Sequence, residues 1–378
     1  MAIVIRYVSE KGQIIERFLG IVHVPETSAR CLKKGVEQVL SNYNLSHSKI
    51  RGQGYDGASN MSGEFNGLKA LFLDDNKSAY YIHCFSHQLQ LALVAVAKNH
   101  VQIALLFTII SNVMNIVGVS CKRRNQLRDK QHDMTLSALQ NGEVFTGRGL
   151  NQEISLRRPG ETRWGSHYES LIRLITMFSS VVDVLEIILE DGISSKKRGE
   201  AFALLDSMQS FDFCFCLHLM KDILGITAEL SDALQRKDQD VVNAMSLVQI
   251  SKIRLQDMRD NKWDDFIQKV SLFCVEHKII IPNLNDKWVA RGRSRRGLQE
   301  ITNLHHYRVD IFYTVLDMQL QELNNRFTEA NTELLLCIAC LNPSNLFCAF
   351  NKEKLIKMAN LYPSDFTPSD LMILDNQL

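Results

Sequence analysis

Hydrophobic periodicity changes once along this chain, near residue 100, and that change bounds what the chain can fold into. Before it, β-rich runs at residues 3–8, 14–22, 50–55 and 80–84 are interleaved with helical patterns over 28–45, 64–73 and 87–98. Period-two runs separated by period-3.6 runs predict the order β-β-α-β-α-β-α, a mixed sheet carrying helices. Ser9-Glu10-Lys11-Gly12 reads as the hairpin connection between the first two runs. After residue 100 the signals are almost wholly helical. Leu171, Leu174, Ile175, Phe178, Val182, Leu185 and Leu189 fall on one face, and Leu219, Ile223, Ile226, Leu230 and Leu234 on another. A third stripe, Phe312, Leu316, Leu320, Leu323 and Phe327, predicts a long helix over 309–341. Pro159, Pro282 and Pro343 fall where boundaries are expected.

Composition narrows the function classes. The 378 residues are 46% hydrophobic and 22% charged, ordinary for a globular protein able to build a core without disulfides or metal. The net charge of +1 gives no global basic field, so any nucleic-acid contact must come from local patches. Nine cysteines in no tight framework read as reduced thiols, in a cytosolic or nuclear protein. The first residues lack the pattern of a signal peptide. Residues 101–121 carry no charge, but Thr108, Ser111, Asn112 and Asn115 share one helical face. That predicts a buried amphipathic helix and no membrane partner.

Chemistry concentrates in three short motifs. Gly54-Tyr55-Asp56-Gly57-Ala58-Ser59-Asn60-Met61 puts an Asp at the end of a short strand, followed by small turn-forming residues. This is one way a sheet presents a carboxylate in a cleft; the plainer reading is Asp56 as the cap of an Asx turn. Cys84-Phe85-Ser86-His87 follows about one βα unit later, and two ligands do not close a zinc sphere. Its plain reading is a buried Cys with a helix-start His, and the neighbouring His83 is taken as the exposed member. Arg163-Trp164 pairs a cation suited to phosphate with a ring suited to base stacking, or simply anchors the next helix. A surplus of positive charge lies over 121–173. A second lies in the Gly/Ser/Arg stretch with Arg291, Arg293, Arg295 and Arg296, a loop that holds phosphates, acts as an import signal, or is only solvated. Cys337 and Cys340, inside an apolar helical run, read as core packing, and His305-His306 as structural.

Together the three motifs resemble the central motifs of hAT-superfamily transposases, and most nearly their domesticated or degenerate members similar to zinc finger MYM-type protein 1. The resemblance runs nearly end to end, and Asn324 and Arg326-Phe327 match its helical insertion. It implies an α/β ribonuclease-H-like core, interrupted by a large all-α insertion domain. It makes Asp56 the second catalytic acid, Cys84 and Asn60 structural members of the motifs, and His87, Arg163 and Trp164 DNA-contacting residues. It also implies that the core is incomplete. The first strand with its Asp is expected before Met1, and the last catalytic Glu and a dimerisation region after Leu378. An N-terminal zinc finger of the kind that precedes such cores is absent from these residues.

Residues 1–55 contain no Asp, and their acids, Glu10, Glu16, Glu26 and Glu37, do not sit where a first-strand Asp belongs. One carboxylate cannot organise two metal ions, so a catalytically inactive protein is expected, with a vestigial Asp56. The resulting layout is a partial core over 1–135, a basic linker with the Arg-Trp motif over 136–177, the insertion over 178–341 and a C-terminal segment over 342–378. No cofactor is expected; Mg²⁺ or Mn²⁺ enters only if another chain completes a site at Asp56. The partners expected are DNA and a related full-length transposase-like protein, with no small-molecule substrate. The expected location is the nucleus, with the cytoplasm as the alternative. Two rival readings stand beside this one: an active metal-dependent DNA transposase or nuclease completed by another chain, and a helical interaction scaffold that does not bind DNA.

Overall fold

The computed structural model describes residues 1–141, 155–156, 160, 165–191, 194–235, 241–289, 301–327, 334, 337, 340 and 350–378. The chain divides into two compact units. One comprises Met1–Gln88, Asp240–Asn243 and Phe327–Leu378, the other Leu89–Gln239 and Ala244–Arg326. Residues 89–135 pack with the later helices, because the apolar faces of 89–118 find their partners there.

The first unit opens with an antiparallel hairpin, β1 (Ala2–Val8) against β2 (Ile14–Ile21). Its turn closes through Ser9 N–H donating to Gln13 O at 2.8 Å, with Gly12 at φ 74, a left-handed conformation that glycine adopts without steric cost. The register shifts beside Val4, and this irregularity turns Leu19 into the core with Ile3. α1 (Ala29–Asn42) is capped by the Ser28 hydroxyl, which accepts from Cys31 N–H. Its Val39 and Leu40 cover the hairpin, while Ala29 and Leu32 meet Leu68 and Phe72 of a later helix. Burying each large side chain of this kind is worth about 1.5–3 kcal/mol.

A second sheet follows. β3 (Gly52–Tyr55) pairs in parallel with β4 (Tyr80–His83), joined through α2 (Ser59–Ser62) and α3 (Leu68–Asp75). Among the described residues the strands form two separate two-stranded sheets rather than one continuous sheet. The order of elements is the expected one. The helix expected over 64–73 starts at Leu68, after a Gly63–Gly67 turn in which Gly67 N–H donates to Gly63 O at 3.2 Å. The chain returns to this unit near its end. Tyr80 Oη donates to Leu361 O at 2.9 Å, the Tyr362 ring meets the Tyr80 ring edge-on at 5.5 Å, and Arg51 pairs with Asp365.

Among the described residues the second unit is mainly helical and holds the large all-α portion of the chain. Its helices are α4 (Phe85–Asn99, from Leu89 onward), α5 (Val101–Gly118), α6 (Cys121–Gln140), α7 (Gly165–Thr176), α8 (Phe178–Asp191), α9 (Ser195–Met208), α10 (Phe211–Leu234), α11 (Val241–Asn261, from Ala244 onward) and α12 (Trp263–Glu276). α13 (Asn303–His305) leads through a π-helical stretch, His306–Tyr313, into α14 (Thr314–Arg326). α10 is the central helix: Phe211 and Phe213–Met220 are all buried, so it is apolar all round at its start. Phe215 packs edge-on against Phe266 at 5.1 Å and tilted against Tyr307 at 5.2 Å. α5 is long and apolar enough to cross a bilayer, yet Ile103, Leu106, Ile110, Val113 and Val117 are core residues. Its exposed face is the expected one, Thr108, Ser111, Asn112 and Asn115.

Two helical expectations change. The stripe over 171–189 is broken between Thr176 and Phe178. The buried set on α8 becomes Val181, Val184, Leu185 and Ile188, not Val182 and Leu189, because a new helix starts a new phase. The long helix over 309–341 is helical from Asn303 to Arg326, with Leu316 and Leu323 fully buried, and most of 328–349 lies outside the described residues.

Candidate functional site

The parallel pairing of β3 with β4 brings two of the three sequence motifs together. Tyr55 stands opposite His83 in the register, so Asp56 and Cys84 are the residues just past the two strand ends. Cys84 N–H continues the ladder by donating to Tyr55 O at 3.0 Å. α4 starts at once, and its first turn carries His87, whose ring centroid is 5.5 Å from that of His83. The carboxyl ends of parallel strands are where open α/β sheets place ligands. Asp56, Cys84, His83 and His87 therefore share one sheet end.

The geometry at Asp56 is that of a turn. Its Oδ1 accepts from Ala58 N–H at 3.2 Å, and its main-chain O accepts from Tyr81 Oη at 2.9 Å. The side chain is exposed. Gly57 is required for a close approach: a Cβ there would lie 2.5 Å from Cε1 of His83. Burial drives the Tyr81 phenol up to about 12, with Asp56 and Cys84 adding to the effect, and burial raises Tyr55 further still. Both phenols are neutral hydrogen-bonding groups at any physiological pH. Tyr55 and Tyr81 also pack ring to ring at 4.9 Å.

Two-metal phosphoryl transfer requires several carboxylates around ions about 4 Å apart. Among the described residues no three His, Cys, Asp or Glu side chains gather in a metal-holding cluster. The groups around Asp56 are phenols, imidazoles and a thiol. They do not fit a two-metal centre by themselves, and no hydrolytic step is assigned to them.

The other sequence candidates divide into two groups. Asn60 is structural: its Nδ2 donates to Thr27 O at 2.6 Å, tying α2 to the segment before α1. Cys84 is exposed and His83 half-buried, the reverse of the expected assignment, because Cys84 has left the strand while His83 is still paired. Arg163, Trp164, Arg291, Arg293, Arg295 and Arg296 lie outside the described residues. The stem of the arginine segment is described: Lys287 bridges Thr302, and Trp288 N–H donates to Ile301 O at 2.9 Å. Sequence reasoning missed Tyr55, Tyr81 and Gly57 as shapers of the site. Their signal was only that each lies at or beside a strand end.

Residues 1–67 match the DUF4371 family, described as the ZMYM1/FAM200 RNase-like domain. Over 98% of its length the chain is 22% identical to the human "52 kDa repressor of the inhibitor of the protein kinase" and 21% identical to the mouse protein of that name. The match covers 48% of each relative, so the chain spans about half the length of the curated relatives it matches. These matches support the resemblance to transposase-derived proteins: residues 1–67 are similar to the ZMYM1/FAM200 RNase-like family, and nearly the whole chain is similar to the two repressor relatives.

Proposed function

We propose that this chain is a catalytically inactive, hAT-transposase-derived nuclear protein that acts by binding, to DNA or to a related full-length protein. The observation that carries the reading is Asp56 itself. Its carboxylate serves a strand-to-helix turn, and no metal-holding cluster forms around it among the described residues. The β1–β2 and β3–β4 sheets, both packed against α1, are read as parts of a ribonuclease-H-like core that needs one more strand to become continuous. The mammalian relatives are repressors by name, which favours a regulatory role over a catalytic one.

Three measurements test this. Titration of Mg²⁺ and Mn²⁺ into the protein is expected to give no binding that depends on Asp56, and supercoiled DNA is expected to stay intact with either metal. Nicking that Asp56→Asn abolishes would overturn the inactive reading and favour a site completed by another chain. DNA affinity is expected to fall with salt. The triple reversal Arg293→Glu, Arg295→Glu, Arg296→Glu is expected to flatten that slope by about 0.9 for each phosphate the segment no longer neutralises. An unchanged slope removes this segment from the interface. Absence of any DNA affinity leaves protein binding as the function.

A further inference from the structure

The face of the β1–β2 hairpin turned away from α1 is uncovered among the described residues, and it is strongly apolar. Val4, Val8, Ile14, Phe18 and Ile21 are 56%, 66%, 69%, 59% and 78% exposed. The register places them together: Val4 is opposite Phe18, Val8 opposite Ile14, and Ala2 opposite Ile21. Proteins that stay monomeric rarely leave apolar side chains contiguous over such a face. The hairpin is also a two-stranded unit, and two strands are marginal in water unless both faces find cover.

One polar feature interrupts the face, and it identifies the occupant. Arg6 and Glu16 are opposite each other at its middle, between the Val4–Phe18 and Val8–Ile14 pairs. Arg6 Nε donates to Glu16 Oε1 at 3.0 Å, while the two side chains remain 52% and 40% exposed. A surface of uniform charge would meet one of these groups favourably and repel the other. A second copy of the same face, turned by a two-fold axis, sets each Arg6 against the other copy's Glu16. The apolar pairs on either side then cover one another. Isologous interfaces require this self-complementarity.

We propose that the outer face of the β1–β2 hairpin is a homodimer interface, with Arg6 and Glu16 exchanged across the two-fold axis. The association does not depend on whether the protein binds DNA. A single hairpin face is a small interface, so the dimer is a weak one.

The test is sedimentation of the whole chain and of four charge variants, each first checked for native circular dichroism. The wild type is expected to pass from monomer to dimer between about 1 and about 200 µM, the range suited to a small interface. Arg6→Glu alone puts four carboxylates at the two-fold axis, and Glu16→Arg alone puts four guanidinium groups there. Both are expected to be monomeric, and Phe18→Glu likewise. Mixing Arg6→Glu with Glu16→Arg is expected to restore a heterodimer, and the double exchange in one chain a homodimer. A folding defect in a single variant would not be repaired by mixing, so the mixture separates loss of fold from loss of interface. A wild type that stays monomeric overturns the proposal and assigns the face to another polypeptide. A wild-type dimer that survives all the single changes, or single variants that stay apart on mixing, places the interface elsewhere.

Discussion

Residue by residue, the clearest cost in the molecule is Gln319. It is fully buried on α14, and neither its amide N nor its O has a hydrogen-bond partner among the described residues. A buried amide without partners costs about 1–3 kcal/mol. Gln319→Leu is therefore expected to raise stability by about 1–2 kcal/mol in urea unfolding, since the two side chains are close in volume. Loss of stability on that change would mean that the amide is satisfied in solution. No sequence pattern hints at this, because Gln319 is only one of several polar residues in the Phe312–Phe327 span, and nothing local marks it as the buried one. Asp56 is the opposite case. Its position after a strand and before Gly57 was legible, and so was the turn that its carboxylate caps. That His83 fills the space above Gly57 was not legible, since the residues are far apart in the chain.

Among the elements, the second sheet rests on a polar clamp. Asn76, at the end of α3, is buried. Its Nδ2 donates to His47 O at 3.0 Å and Ile50 O at 2.8 Å, and its Oδ1 accepts from Ser78 N–H at 3.1 Å. These bonds hold the turn entering β3 and the turn entering β4 in one place, and so set which residues face each other across the parallel pair. Asn76→Ala is expected to cost about 1–3 kcal/mol by leaving the buried Ser78 N–H and the half-buried Ile50 carbonyl without this partner. Hydrogen exchange of the β3 and β4 amides should speed up accordingly, and unchanged protection there would show that the clamp is not needed. Element type was readable wherever a local period fixed it, as in β1, β2, α1 and α5. Element phase was not readable at α8, where the break after Thr176 resets the buried face.

For the molecule as a whole, the helical unit carries a built-in acid sensitivity. His218 is buried on α10, with its Nδ1 2.9 Å from Cys214 O. Burial lowers its pKa to about 4, against a partial offset from that hydrogen bond, with Lys269 and Lys221 lowering it further and Asp222 raising it. His277 and His306 are likewise lowered, chiefly by burial. Below the ordinary value of about 6.5 the unfolded chain takes up protons that the folded unit refuses. Stability is therefore complete above pH 6.5 and is lost as pH falls from there toward 4. The share of His218 is about 3 kcal/mol, from some two and a half pKa units. Melting temperature is expected to drop over that range in the wild type and less steeply in His218→Gln; equal slopes would remove His218 from the account. The sequence by itself determined the α/β-to-helical transition, the identity of most elements and the strand-end turn at Asp56, because periodicity and turn chemistry act within a few residues. Only the tertiary structure decided that β3 and β4 pair in parallel and set Asp56 beside Cys84, and that the final segment returns to Arg51 and Tyr80. It alone decided that residues 89–135 pack with the helical unit. Those choices are made by packing between residues tens to hundreds of positions apart, and no local pattern records them.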